Sequence, residues 1–549
     1  MGTHKRMEYV IVGSGPSGVH AALTLLERGK QVVLYDVGEE EVAPPLPYAN
    51  FAELKDQLPD PVRFFLGSDF EALIPPGAAS LLVYPPNRRF ALRAENPYVR
   101  INRAVFDPLL SHARGGLGIA WGANSLAFDD DDLRHFPIRY GDLQPHFRTL
   151  GRRMHVCGAA DDPLSPYLPT EHPLDPPLRF NQHAARLWRR YECRQAVLRD
   201  RFGWIMGHAR MAVNTAPDDP ARCRYCNRCL WGCGVHAIYD PRATLAACRR
   251  YPGFRYRPHA LVSHAIAQGG RVAALAIFDT VAKTWHEVPT DCVLLAAGAI
   301  ASGAILLRTL ARDPARPAGP GETLATVSLM DTRVLKVPYL FLPMLGRRNA
   351  DADFQFNTLI ARVQNNAFGE YPAYIHAEVL ALAALLYHPM VESLPFGSRY
   401  GLRAFSLLRS ALGAVTFFLP DAPYRANGIR LVPDARTVTG DRLEATYDHA
   451  PAKRRLADRL IATAARVMRR LGCFVVRGRA FYLPDGGGTH FAGTIPMSTQ
   501  PDPRCVDAMG RSYAYPNCYA VDGATFPSLP SRSLTLNLMA NAIRIADAL

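Results

Sequence analysis

Four cysteines of the 549-residue chain stand close together: Cys223, Cys226, Cys229 and Cys233, spaced C-x2-C-x2-C-x3-C. Thiolates at nearly this spacing hold iron–sulfur clusters, although here Gly234 rather than proline follows the last cysteine. Zinc held by four thiolates is a second chemistry, but the long loop that usually separates two CxxC pairs is missing. Thiols packed as structural groups are a third. The flanking Arg222, Arg224 and Arg228 would stabilise thiolates in any of the three. The other seven of the 11 cysteines are scattered, too few for a disulfide scaffold and best read as core fillers. Near the C-terminus a glycine-rich stretch, Gly486-Gly-Gly-Thr-His490-Phe-Ala-Gly493-Thr494-Ile-Pro496-Met497, holds a histidine, His490. A histidine in a glycine-rich turn can be purely structural.

These groups need elements to position them. Met7–Val12 reads as a short strand and runs into Gly13-Ser-Gly15-Pro-Ser-Gly18. A helix pattern through Val19, Ala22, Leu23 and Leu26 follows and closes at Gly29, before a second strand, Gln31 to Asp36. Strand, GxGxxG, helix, strand and acid in that order make a dinucleotide-binding unit: the glycines bring backbone close to a pyrophosphate at the helix N-terminus, and Asp36 stands where a carboxylate grips ribose hydroxyls. The unit alone does not choose between FAD and NAD, but its place at the start of a long chain favours FAD. Asp291–Ala299 reads as a buried strand ending in small residues, followed by a helix over Ile300–Leu310. Phe254–Thr280 reads as short strands around a Gly269-Gly270 hairpin, and Leu534–Leu549 as a last helix.

Four separated segments then carry a resemblance: Gly13–Gly18, Arg114-Gly115-Gly116 with Trp121-Gly122, Leu294–Gly303, and the stretch from Thr489 through Asp522-Gly523 to Ala546. Together they resemble the glucose–methanol–choline (GMC) family of FAD oxidoreductases, in the family's order and from end to end. The resemblance implies an α/β fold: a Rossmann-like FAD-binding domain with an interleaved α+β substrate-binding domain. The expected division is a first FAD-binding stretch over 1–160, a substrate-side segment over 161–220, and the cysteine cluster with a second FAD-binding stretch over 221–312. The substrate-binding domain would follow over 313–485, and a last FAD-binding stretch with the catalytic histidine over 486–549. It further implies His490 as the base beside the flavin, and FAD contacts at Gly13, Gly15, Gly18, Asp36, Gly115, Gly116, Ala297, Gly298 and Asp522. In some members a similar cysteine segment holds an iron–sulfur cluster, which here would take Cys223, Cys226, Cys229 and Cys233. The sequence departs from the family at the start of the last helix, where Ser533-Leu534 replaces the usual Asn/His-Pro. Serine can hydrogen-bond a substrate oxygen but is no base by itself near neutral pH. Asn537, one turn on, is the other polar group expected to reach the pocket.

The expected activity is FAD-dependent oxidation of a CH–OH group of a small molecule by hydride transfer to flavin. Electrons would then pass to O2, or through the cysteine cluster to a partner protein. A non-redox lyase on the same fold is an alternative, as is an electron-transfer flavoprotein subunit, against which the intact His490 argues. Composition adds limits. The net charge is +14, and 57 of the 63 cations are arginine, scattered without a basic run, which does not suit a nucleic-acid binder. Tyr339–Leu345, Val379–Tyr387 and Leu402–Leu419 are unusually apolar, with Arg399, Arg403 and Arg409 among them. The plain reading is the inner face of a sheet with its covering helices. The sharper one is a greasy channel or an interfacial surface for an apolar alcohol, with peripheral membrane contact. No apolar run approaches the roughly 20 residues a spanning helix needs. Glu8 and a strand-like run follow the basic start with no cleavage site, so no signal peptide is expected and the cytoplasm is the default compartment.

Overall fold

The computed structural model describes residues 7–40, 51–70, 72–73, 85–91, 98–316, 324–347, 353–365, 369, 371–382, 390–391, 394–475 and 477–549. The first strand, Glu8–Val12, lies in the middle of a five-stranded sheet. Gln31–Tyr35 and then Phe254–Arg257 pair on one side of it, Cys292–Leu295 and then Cys518–Ala520 on the other, all parallel. Parallel strands need crossovers, so both faces are covered, and the three central strands are apolar after Glu8 and Gln31 at their starts, while the edge strand Phe254–Arg257 exposes its two arginines. The helices Pro16–Glu27 and Thr535–Asp547, which pack on each other, cover one face through Val19, Leu23, Leu26, Ala542 and Ile545. Val10, Val12, Val293 and Leu295 face the larger core on the other. This is the Rossmann-like half of the expected fold.

The second sheet has seven strands and is antiparallel. Its order is Cys473–Val475, Arg333–Phe341, Leu412–Leu419, Tyr374–Ala381, Leu359–Gln364 and Trp204–His208, with Phe481–Tyr482 also pairing to the long strand Arg333–Phe341. Side chains alternate between faces along each strand. The odd-numbered residues Leu335, Val337, Tyr339, Ala377, Val379, Val415 and Phe417 form one apolar core with Leu456, Leu460, Ala464 and Met468 of the helix Pro451–Arg470 and Leu187 and Tyr191 of the helix Gln182–Glu192. The strand residues Tyr339, Phe341, Val379, Val415, Phe417 and Leu419 of the three apolar runs therefore belong to the covered face of a sheet, not to a channel. Residues 383–387 of the run Val379–Tyr387 lie outside the described residues. The opposite face carries Lys336, Thr416, Phe418, His376, Glu378 and Arg362, and it looks toward the nucleotide-binding half.

A smaller sheet joins the halves: the hairpin Gly428–Pro433 and Asp441–Thr446 pairs with Ile101–Asn102. Asp441 accepts a two-pronged bond from Arg308 of the helix Ala299–Arg312, at 2.6 to 3.0 Å, with both side chains buried. Arginine's planar fork suits this geometry. Some of the large positive charge is thus neutralised inside the protein, and Arg532 does the same on Asp129 and Asp132.

Candidate active site

The glycine loop after the first strand is held from behind. Gly13 has φ +103°, and a Cβ there would sit 2.5 Å from the carbonyl oxygen of Ala296. A Cβ on Gly18 would overlap the carbonyl of Gly13, so the helix can start this close to the strand only without side chains. Gly15 is the opposite case: a Cβ would meet nothing within 4 Å, which leaves an open cradle at the helix N-terminus. The Gly115-Gly116 loop closes over this place, with Gly115 N–H donating to Ser14 Oγ at 2.8 Å. Ser14 and Tyr256 hydroxyls donate in turn to one oxygen of Asp36, whose carboxyl is pushed up to about 6 by burial against those two bonds.

Contacts run on from this loop to His490. Ala297 N–H donates to Ser302 Oγ at 3.1 Å, and Gly298 N–H and Ser302 Oγ donate to Asp522 at 2.8 and 2.6 Å. Asp522 also caps its own turn through Ala524 N–H at 2.9 Å, and burial raises its carboxyl. The turn lies under the strand Phe491–Ala492, which pairs with Met330–Asp331. Thr494 Oγ1 donates to Ala299 O at 2.5 Å, tying the strand's exit to the helix that begins at Ala299. Residues that sequence reading drew from four segments therefore meet in one place: Gly13, Gly15, Gly18, Asp36, Gly115, Gly116, Ala297, Gly298, Asp522 and His490.

His490 follows Thr489, held at φ +57°, a conformation uncommon outside glycine. Its carbonyl accepts Thr332 N–H at 3.3 Å, while its Nδ1 is buried with no partner. Burial holds the ring down at about 4, so it is neutral at physiological pH. The ring packs on Phe418, centroids 6.0 Å apart, and His376 packs on the same phenyl at 5.7 Å. Burial, then Arg532, then His490 itself hold His376 down at about 3, and its Nε2 is likewise buried without a partner. Its backbone is fixed by the N–H bond to Ser531 Oγ at 2.8 Å.

Next to these rings, Lys336, Thr416 and Glu378 stand side by side on neighbouring strands. Glu378 accepts from Asn124 Nδ2 at 2.6 Å, and burial pushes its carboxyl up to about 7 against the pull of Lys336. Thr416 Oγ1 has no partner. None of His376, Glu378, Lys336, Thr416 or Asn124 was named from the sequence. The available signal was the strand Tyr374–Ala381, where His376 and Glu378 interrupt apolar residues at a spacing of two.

Two expectations change, for Asn537 and for the cysteine cluster. Asn537 is fully buried and spends its amide on backbone: it accepts Phe128 N–H at 2.7 Å and donates to Leu126 O and Ser533 O at 2.9 and 3.1 Å. It clamps the 126–128 segment and has no donor left for a substrate. Ser533 is buried at the start of the same helix, its carbonyl taken by Asn537. Among the described residues no three His, Cys, Asp or Glu side chains are arranged to hold a metal ion, so an iron–sulfur or zinc centre at Cys223, Cys226, Cys229 and Cys233 is not supported. Nor do the arginines hold Cys223 or Cys226 as thiolates. Burial pushes Cys223 up to about 11 and raises Cys226 even beside Arg228. Cys223, Cys229 and Cys233 instead pack against the large core, and the loop is pinned by Asn227 N–H to Asp353 O at 2.9 Å.

Residues 423–542 match a family model described as GMC oxidoreductase. Over 79% of its length the chain is 26% identical to 6'''-hydroxyparomomycin C oxidase of Streptomyces lividus, covering 78% of that protein. It is 20% identical to the fructose dehydrogenase large subunit of Gluconobacter japonicus, across 99% of this chain and 97% of the relative. The chain is similar to GMC oxidoreductases, through the family model over its C-terminal part and through these relatives over most of its length. The fold agrees: pyridoxine 4-oxidase from Mesorbium loti superposes with a TM-score of 0.62 at 16% identity, covering 99% of both chains. The likeness to GMC oxidoreductases implies FAD, and the residues present fit its ADP half: an open glycine at a helix N-terminus and a buried carboxylate at the end of the second strand.

Proposed function

We propose that this oxidoreductase oxidises a polar CH–OH compound, with His490 receiving the hydroxyl proton. Gly13–Gly18, Gly115-Gly116, Ala297-Gly298 and Asp522 would hold FAD, which would supply the acceptor for the hydride of the carbinol carbon. The chain's own residues deal with the proton. A carbinol that loses hydride becomes a carbonyl only if its O–H proton also departs, and the unpartnered Nδ1 of the neutral His490 ring marks a group held for that purpose. His376 presents a second free ring nitrogen beside it, suited to hydrogen-bond the same oxygen and fix its direction. Ser533 and Asn537 take no part in proton transfer on this reading.

The observation that carries the proposal is the pairing of two buried, neutral, unpartnered imidazoles on one phenyl ring at the end of the contact chain from the glycine loop. The polar row Lys336–Thr416–Glu378 favours a substrate with several hydroxyl or amino groups over a lipid-like alcohol. The relatives' names agree in kind: paromamine 6'-oxidase, fructose dehydrogenase and 2-methyl-1,2-propanediol dehydrogenase. We also propose the division into FAD-binding stretches over 1–160, 221–312 and 486–549 and substrate-side stretches over 161–220 and 313–485. The strand Trp204–His208 supports it by joining the seven-stranded sheet.

The test is anaerobic bleaching of the flavin-loaded protein by paromamine, fructose, 2-methyl-1,2-propanediol and pyridoxine. At least one should bleach it, and His490→Ala should slow bleaching roughly 10²- to 10⁴-fold with flavin content unchanged. Bleaching at the normal rate by His490→Ala would remove its assigned role. Because the ring titrates at about 4, the rate should hold on acidification until the pH nears that value.

A further inference from the structure

One end of the seven-stranded sheet is finished unlike the rest of the surface. The long strand Arg333–Phe341 ends there in a short turn that leaves Leu342 and Leu345 exposed, and its neighbour Cys473–Val475 exposes Phe474 opposite Leu340. The helix Ser398–Leu408 lies beside them, with Gly346 N–H donating to Leu407 O at 2.9 Å. That helix turns Gly401 and Phe405 inward and Leu402 and Leu407 out to solvent, with Phe396 and Tyr400 exposed at its start. These seven side chains are between 42% and 65% exposed and make up seven of the 17 exposed large hydrophobics among the described residues. Single exposed apolar residues are ordinary, but a cluster from three segments is an interaction site.

The charges around the cluster are of one sign. Arg347, Arg399, Arg403, Arg409, Arg477 and Arg479 are all exposed, and the described residues of 338–347, 394–409 and 473–479 include no Asp or Glu. The helix therefore inverts the usual pattern of a surface helix, with large apolar side chains outward and arginines at their margins. An apolar wedge with a cationic fringe fits the boundary of an anionic bilayer: the leucines and aromatics enter the acyl edge while the guanidinium groups stay among lipid phosphates. Among the described residues no helix is long and apolar enough to cross a membrane, so contact would be from the surface.

The geometry points to a docking face for an anionic lipid surface, formed by the helix Ser398–Leu408 with Leu342, Leu345 and Phe474. It stands apart from the catalytic reading. A pocket lined by Arg409, Ser410, Val379 and Asn357 opens beside the helix, and Asn357 donates to Asn124 Oδ1 at 3.0 Å, next to Glu378.

The test is flotation of the flavin-loaded protein with phosphatidylcholine vesicles, with and without about one-third phosphatidylglycerol. The wild type should float with the anionic vesicles and roughly tenfold less with the neutral ones, and more weakly as salt rises. Leu402→Asp/Leu407→Asp should abolish flotation, and Arg399→Glu/Arg403→Glu should weaken it roughly tenfold while keeping the flavin spectrum. If the aspartate pair costs the protein its flavin, the glutamate pair decides. No flotation with anionic vesicles, or equal flotation by wild type and variants, overturns the proposal. So does a sedimentation dimer that Leu402→Asp/Leu407→Asp converts to monomers, since the face would then cover a second copy. Alcohol bleaching of the variants in solution should match the wild type, which keeps this result separate from the catalytic one.

Discussion

The two faces of the seven-stranded sheet share one backbone and differ in everything else. On the covered face Val337, Val415, Phe417 and Ala377 are wholly buried among leucines of two helices. On the other, Lys336, Thr416, Glu378 and His376 are polar and lie among the site's groups, and Thr416 and His376 keep buried atoms without partners. Burying a polar group without a partner costs about 1–3 kcal/mol in proteins. A fold does not accumulate such costs along one face by accident. The apolar face holds the sheet in place so that the polar face can be kept dry and unsatisfied, ready for a ligand's hydroxyl groups.

On that division of labour, substitutions on the two faces separate stability from rate. Phe417→Ala should cost the most, about 3–5 kcal/mol in denaturant unfolding, with the flavin-reduction rate of the folded fraction unchanged. His376→Leu should do the reverse: stability within about 0.5 kcal/mol of wild type or higher, and flavin reduction slower by roughly 10- to 100-fold, partly rescued in His376→Asn. A large stability loss in His376→Leu would erase the distinction between the faces.

Asn537→Ala tests the boundary between the faces and the last helix. Losing three hydrogen bonds to backbone should cost about 1–3 kcal/mol in unfolding without a selective effect on the rate. A loss of rate at full stability would return Asn537 to the chemistry.

The smallest effect concerns pH. Burial pushes Asp331, beside the His490 strand, up to about 8, against the bond from Gly486 N–H and the charge of Lys453. The folded state then keeps a proton that the unfolded state has lost, so stability declines as pH rises from about 4 to about 8. Glu378, raised to about 7, acts with the same sign over a narrower window. Asp331→Asn should flatten the decline in melting temperature across that range, and an unchanged slope would locate it elsewhere.

Much of the nucleotide-binding half was legible because its signals are local. Strand, glycines, helix and second strand occupy Glu8–Tyr35 almost where the pattern placed them, since a turn at φ +103° and a close helix–strand approach each admit only glycine. The strand Cys292–Leu295 and the last helix Thr535–Asp547 were legible for a similar reason, as short apolar or 3.6-periodic runs. His490 stood out through motif context. His376 and Glu378 did not, because their meaning depends on a face that exists only once Tyr374–Ala381 lies between its two neighbours.

Chain order alone was enough to show the likeness to GMC oxidoreductases, the glycine loop between strand and helix, and residues of remote segments that come together in the fold. Local backbone demands write down the glycine loop directly, and the resemblance supplied the remote residues. It took the folded molecule to separate the apolar runs that are core from those that are surface, to show that the four clustered cysteines do not form a metal-holding set, and to make Asn537 a clamp. Folding also brought a second histidine from the sheet to stand with the first. Those outcomes depend on which atoms are near in space, and burial, pairing and coordination are properties of that neighbourhood rather than of chain order.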